Sequence, residues 1–213
     1  MITFAERNAL KVLTKDFGLE LECPQKGYSS PIFAKLAMAF EARESFIAKY
    51  GFVILGEATI NSLTNICHNK KVVDVGSGLG YLSHRLHSNG IDITAIDFKP
   101  TREFYSYLKR SNLWKLDYDQ DARDHDLSQY EVIILCWPPY DTSFGYEIAS
   151  RVQPGQILIY QGEEKGGCTA DDNFFDLIYS QFEEFPNDTD LLNQHHSTFL
   201  GIHDYWTVYQ RRK

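Results

Sequence analysis

The stretch "VVDVGSGLGYLSHRL" sets an acid, Asp74, and three glycines, Gly76, Gly78 and Gly80, at alternate positions between a β-branched run and a helical pattern. Glycines at such a junction let the backbone turn tightly and approach a ligand with no Cβ in the way. In a doubly wound sheet, a nucleotide-like ligand binds at the carboxyl end of the strand that feeds such a turn. A tight turn with no ligand is the plain alternative. Further on, "IDITAID" ends in Asp97, where a carboxylate can accept both hydroxyls of a ribose. A helix N-cap is the other reading of Asp97, but Pro100 and Thr101 already mark that helix start. The apolar run "YEVIILC" closes on "WPPY". Proline lacks an N–H and fixes its own φ, and it pushes the preceding residue to an extended conformation. The carbonyls of Pro138 and Pro139 are therefore expected to point, fixed, into a cavity. Finally, "GEEKGGC" places Glu163 before a glycine pair. Its carboxylate could accept a proton or hold a substrate amine, and the glycines permit a loop that closes over substrate. A solvated loop, with Asp171 or Asp172 capping the next helix, is the alternative.

These residues need a scaffold that gathers them. The first 70 residues read as helices. "SSPIFAKLAMAFEARESFIAKYG" has Ser30 as N-cap, Pro31 at the first position and Gly51 at the stop. Ile32, Leu36, Phe40, Ile47 and Tyr50 fall at roughly helical spacing, and "GEATINSLTNICHN" reads as a shorter helix. From residue 71, strands "KVVDVG", "IDITAID", "YEVIILC" and "QILIYQG", with a weak one near "LWKLDY", alternate with helices "YLSHRLHSNG", "TREFYSYLKRSN", "YEIASRVQPG" and "DNFFDLIYSQF". "EEFP" and "IHDYWTVYQRR" read as a closing antiparallel pair. Alternation of this kind implies a mainly parallel sheet covered on both faces. A single domain over 1–213 is expected, with a helical N-terminal extension (1–70) and an α/β core (71–213).

The D-x-G-x-G-x-G spacing differs from a dinucleotide fingerprint, in which the third glycine comes one residue later. It resembles the first motif of class I S-adenosylmethionine-dependent methyltransferases. With Asp97 and the "QDA" after the third strand, the resemblance covers roughly residues 71–160. Together with "YGFVILGEATINSL", "CWPPYDTSFGYEIA", "GEEKGGCTADDNFF" and "GIHDYWTVYQRR", the chain looks like a little-characterised group of stand-alone methyltransferase-like proteins. The resemblance implies a Rossmann-like fold with a seven-stranded, mostly parallel sheet and S-adenosylmethionine as cofactor. It assigns Asp74, Gly76, Gly78, Gly80, Tyr81, Asp97, Phe98, Asp121, Ala122 and Cys136 to the cofactor site. Asp121 stands where the family places an acid against the adenine amino group, with Asp117 and Asp119 as alternatives of register. "CWPPY" resembles the [D/N/S]-P-P-[Y/F] motif of amino-group methyltransferases, in which the polar residue and a proline-flanked carbonyl accept from the target amine and the aromatic stacks on it. The transfer end is thus expected at Trp137, Pro138, Tyr140 and Glu163. Trp137 departs from that motif, since an indole donates one hydrogen bond and accepts none. It reads either as core or as an aromatic wall for the acceptor or for the methionine end of the cofactor.

The formal charge of −8 opposes binding to a phosphate backbone, and Lys109, Arg110 and the tail Arg211–Lys213 are too few to form a basic patch. Cys23, Cys67, Cys136 and Cys168 show neither zinc-site spacing nor a disulfide framework, which suits reduced thiols in a cytoplasmic protein. The N-terminus has interleaved charges unlike a signal peptide, and no membrane span is expected. His195-His196 suits a loop better than a metal site, because adjacent side chains diverge; no metal is expected. Asp204 falls near the carboxyl edge of the sheet. The function expected is methyl transfer to a small-molecule or protein acceptor. The rivals are a nucleic-acid amino-methyltransferase, favoured by Pro138, Pro139 and Tyr140, and a non-catalytic S-adenosylmethionine-binding module.

Overall fold

The computed structural model describes residues 43–98, 114, 116–199 and 201–213. The expected cap at Ser30 and Pro31, Cys23, Pro100, Thr101, Lys109, Arg110 and the helix "TREFYSYLKRSN" lie outside the described residues. A helix, α1, is described over residues 43–50 and stops at Gly51 (φ +95°). Then follow α2 (Glu57–Cys67), β1 (Lys71–Val75), α3 (Tyr81–Ser88), β2 (Asp92–Asp97), β3 (Tyr118–Asp119), a 3-10 turn (Ala122–Asp124) and β4 (Val132–Cys136). The chain continues through α4 (Phe144–Arg151), β5 (Ile157–Gly162), α5 (Asp172–Gln181), β6 (Phe182–Glu184), α6 (Pro186–Asn193) and β7 (Tyr205–Arg211).

The seven strands form one sheet in the order β3-β2-β1-β4-β5-β7-β6. All neighbours are parallel except β7, which runs antiparallel between β5 and β6. This is the Rossmann-like, seven-stranded and mostly parallel arrangement that the resemblance implied. Alternate residues of each buried strand feed opposite faces. Val73, Ile133 and Leu135 pack with Ile148 of α4 and Phe174 and Ile178 of α5. Val72, Val132 and Ile134 pack on the other face with Leu63 of α2, Leu86 of α3 and Trp206 of β7.

The helix α6 has no counterpart in the pattern read from the sequence. Pro186 stands at its start, a position that proline favours, but its apolar residues are too few for a periodic signal. It covers β7: the Thr189 hydroxyl accepts from the Val208 N–H at 3.0 Å, and the Asn193 side chain accepts from the Trp206 N–H at 3.0 Å.

Strand order reverses between β1 and β4, so their connections leave in opposite directions and open a crevice beyond the carboxyl ends. Register puts Asp74, Asp97, Cys136 and Gly162 at or near that edge. Among the described residues, no helix is long and apolar enough to cross a membrane.

Candidate functional site

The turn after β1 requires its glycines. Gly76 and Gly78 take φ of +69° and +58°, left-handed conformations that cost an L-residue about 1–2 kcal/mol. A Cβ on Gly76 would also sit 3.3 Å from the Phe144 ring. Asp97 ties this turn to the end of β2. One of its carboxylate oxygens accepts from the Gly78 N–H, and the other accepts from the Phe98 N–H at 2.6 Å.

Asp74 is 2% exposed and accepts from the Ser83 hydroxyl at 2.8 Å. Burial raises its pKa from 3.8 to about 7; the Ser83 hydrogen bond works against the rise and the nearby Asp97 charge adds to it. The folded carboxyl therefore holds its proton more tightly than the unfolded one. Its contribution to stability is complete below pH 3.8 and is lost as pH rises through about 7. Asn at this position can still accept from Ser83. Asp74→Asn is thus expected to be more stable than the native chain at pH 8, by at most about 4 kcal/mol. Urea midpoints should show that gap closing towards pH 5, and a gap independent of pH would contradict the buried-acid reading.

Two cavities meet at this edge. The larger, of about 340 Å³, is lined by Asp97, Phe98, Asp121, Ala122, Arg123, Pro138, Pro139, Thr142, Ser143 and Phe144 together with Gly76, Cys136 and Trp137. The smaller, of about 80 Å³, shares Gly76, Cys136 and Trp137 and adds Asp74, Gly78, Tyr81, Tyr50 and Phe52. Of the three acids that competed by register, Asp117 accepts from the Ala95 N–H at 2.9 Å, whereas Asp121 reaches the larger cavity. Asp121 also caps the 3-10 turn through the Arg123 N–H and pairs with the Arg123 guanidinium, which holds its carboxyl below the usual range. Gly80 lines neither cavity; it begins α3 with φ +75°.

The proline corner differs from expectation. Trp137 is not extended but takes φ +49°, with its N–H on the Gln161 carbonyl at 2.7 Å. The Pro138 carbonyl accepts from the Ala170 N–H at 3.1 Å, and the Pro139 carbonyl accepts from the Thr142 hydroxyl at 3.0 Å. Each carbonyl thus already has one donor from within the protein. The prolines lack donors of their own, so donors from residues 142 and 170 close the corner. Tyr140, expected as a stacking face, is 64% exposed and lines neither cavity. Trp137 does line both, with its indole stacked on Phe52 at 5.3 Å and 22°.

Glu163 also departs from its expected place. It is 7% exposed and lines neither cavity. Its two carboxylate oxygens accept from the Cys168 N–H at 2.6 Å and the His203 N–H at 2.9 Å. It therefore clasps the loop 163–168 to the segment entering β7. Helix α5 is capped by Asp171, which accepts from the Phe174 N–H at 2.9 Å. Glu163→Gln turns one acceptor into a donor that faces the N–H of Cys168 or His203. It should lower unfolding free energy by about 2 kcal/mol in urea titration. Unchanged stability would refute the clasp.

Tyr50, Phe52, Ser83 and Arg123 were not singled out by sequence. Tyr50 and Phe52 come from the end of α1 and the loop after it; Tyr50 was read only as part of a helix face, and the stretch "YGFVILGEATINSL" only as part of the resemblance, with no site role for either. Ser83 had a usable signal: it lies in the first turn of the helix after the glycines, facing back towards β1.

No protein-family model and no curated protein matches the sequence. Solved structures resemble it at a distance. A mutant of MtNAS in complex with S-adenosylmethionine is 12% identical over 97% of this chain and 71% of that one, with a TM-score of 0.47. TehB from Haemophilus influenzae is 15% identical over 80% of this chain and 67% of that one, with a TM-score of 0.47. An RNA methyltransferase from Salinibacter ruber in complex with S-adenosyl-L-homocysteine is 14% identical over 75% of this chain and 94% of that one, with a TM-score of 0.43. Identities this low leave any assignment of a reaction to the chain's own residues.

Proposed function

We propose that this chain is an S-adenosylmethionine-dependent methyltransferase acting on a small-molecule or protein acceptor. The observation that carries the reading is the pair of abutting cavities at the reversal point of the sheet, with Asp97 and Asp121 lining one, Asp74 lining the other, and Gly76, Cys136 and Trp137 shared between them. An elongated ligand with a ribose towards one end and an ammonium at the other suits that shape.

The residues present fit such a ligand. Asp97, which lines the larger cavity at the end of β2, would hold the ribose hydroxyls. Phe98, Asp121 and Ala122 would form the base-binding wall. Asp74, Gly76, Gly78 and Tyr81 would hold the amino-acid end, with the Asp74 carboxyl facing the ammonium. When bound, the cofactor supplies a methyl group already activated by its sulfonium. The chain's part is then alignment and exclusion of water. Pro138 stiffens the wall, and Cys136 and Trp137 shape the junction.

The amino-methyltransferase rival is disfavoured by the corner itself. The position that would need an acceptor for the amine is Trp137, whose indole accepts no hydrogen bond and donates its own to Asp204. Calorimetric titration with S-adenosylmethionine, followed by tritiated-methyl transfer to fractionated extract, tests the reading. Saturable one-to-one binding with label entering a non-nucleic-acid fraction is the expected result. Absence of binding overturns it, and binding with no transfer favours the non-catalytic module.

A further inference from the structure

The Trp137 indole is anchored to a buried charge. Its Nε1–H donates to an Asp204 carboxylate oxygen at 3.0 Å, and the Gln161 amide donates to the same oxygen at 2.5 Å. His196 Nε2 lies 3.2 Å from the other carboxylate oxygen and 2.7 Å from the Asp204 carbonyl. The side chains of His196 and Asp204 are 6% and 4% exposed. Burial alone would raise the Asp204 carboxyl; hydrogen bonds from His196, Thr198 and Gln161 more than offset it and hold the pKa below the usual value. Asp204 thus stays ionised directly behind the ring. The positive φ of Trp137 is a conformation that a bulky side chain adopts only where its surroundings demand it. Strain in the backbone and four polar contacts on one carboxylate converge on where this indole lies.

That place is the junction of the two cavities. In the ligand proposed above, the sulfonium joins the nucleoside and amino-acid portions, so its charge belongs at the same junction. An aromatic ring attracts a cation through its quadrupole. A hydrogen bond from the ring N–H to a carboxylate polarises the ring further, as hydrogen bonds in series strengthen one another at low dielectric. We propose that Asp204 and Trp137 act together as a charge reader, with the Asp204 carboxylate enriching the indole so that it favours the charged sulfonium over the neutral thioether left after methyl transfer. Trp137 touches the ligand, and Asp204 is a positioning and polarising residue acting through it. The inference rests on the proposed function and deepens it: it supplies a reason for spent product to leave and fresh cofactor to enter.

The test compares S-adenosylmethionine with S-adenosylhomocysteine by calorimetry, two ligands that differ only in the methyl group and its charge. The native chain should bind the charged ligand about tenfold tighter than the neutral one. Asp204→Asn keeps an acceptor for the indole and removes the charge, and it should shrink the ratio to about twofold. Trp137→Phe keeps a ring and removes the N–H, and it should do the same. If Asp204→Asn fails to fold by thermal melt, Trp137→Phe decides alone. A purely structural role weakens both ligands equally, and an unchanged ratio in folded variants overturns the proposal. The indole ¹H–¹⁵N signal missing from Trp137→Phe identifies Trp137; it should move upfield in Asp204→Asn, and an unmoved signal also counts against the pair. Binding of neither ligand to the native chain overturns the proposed function and this inference with it.

Discussion

Gly78→Val should reduce affinity for S-adenosylmethionine by about a hundredfold or more, equivalent to about 3 kcal/mol. Two effects add. The residue sits at φ +58°, a left-handed conformation that a β-branched side chain resists by roughly 1–3 kcal/mol. The new side chain also projects from a residue that lines a cavity of only about 80 Å³. If the chain relieves the strain by moving the turn, the Gly78 N–H leaves Asp97, and the ribose wall loses its register. Calorimetric titration of the variant measures the loss, with a thermal melt to confirm that the sheet remains. Native affinity in a folded variant would remove the turn from the binding site.

Asp97→Ala should weaken the same ligand by roughly 1.5–3 kcal/mol, the range for losing a charged hydrogen-bond partner. Asp97 is 3% exposed and placed where β2 ends, opposite Asp119 of β3. Its carboxylate serves two ends at once: it accepts from Gly78 and Phe98 and lines the larger cavity. Removing it strips the ribose of its acceptor and frees the turn. Asp97→Asn retains an acceptor oxygen and should lose less, which separates the hydrogen bond from mere loss of packing. Titration of the two variants side by side gives the answer. A loss of only a few tenths of a kcal/mol in both would place the ribose elsewhere.

Strands and helices that carry their own period were legible. Val72 and Val73 of β1 and Val132, Ile133 and Ile134 of β4 announce two strands buried on both faces, and each feeds the face that alternation requires. Asp74, Gly76 and Gly78 announced the turn because glycine at positive φ is a local demand, visible at the residue itself. The helix α6 escaped because "PNDTDLLN" shows a start signal but only two adjacent leucines on which to build a period. Its place is decided by β7, whose N–H groups find acceptors on Thr189 and Asn193.

The sequence by itself determined the alternating architecture, the glycine turn after β1 and the identity of the residues at the strand ends. Those are consequences of periodicity, of glycine's freedom and of chain direction, all local properties. Only the tertiary structure decided what each polar group does once there. The Glu163 carboxylate is taken by an N–H 40 residues away, and the Trp137 indole by a carboxylate 67 residues away. The Pro138 carbonyl answers to Ala170. A buried polar group must find a partner, but which partner depends on how distant segments pack, and no local pattern encodes that. This is why Glu163, read as a proton acceptor or a holder of a substrate amine, is a clasp, and why Asp204, placed by sequence only near the carboxyl edge, accepts from the Trp137 indole.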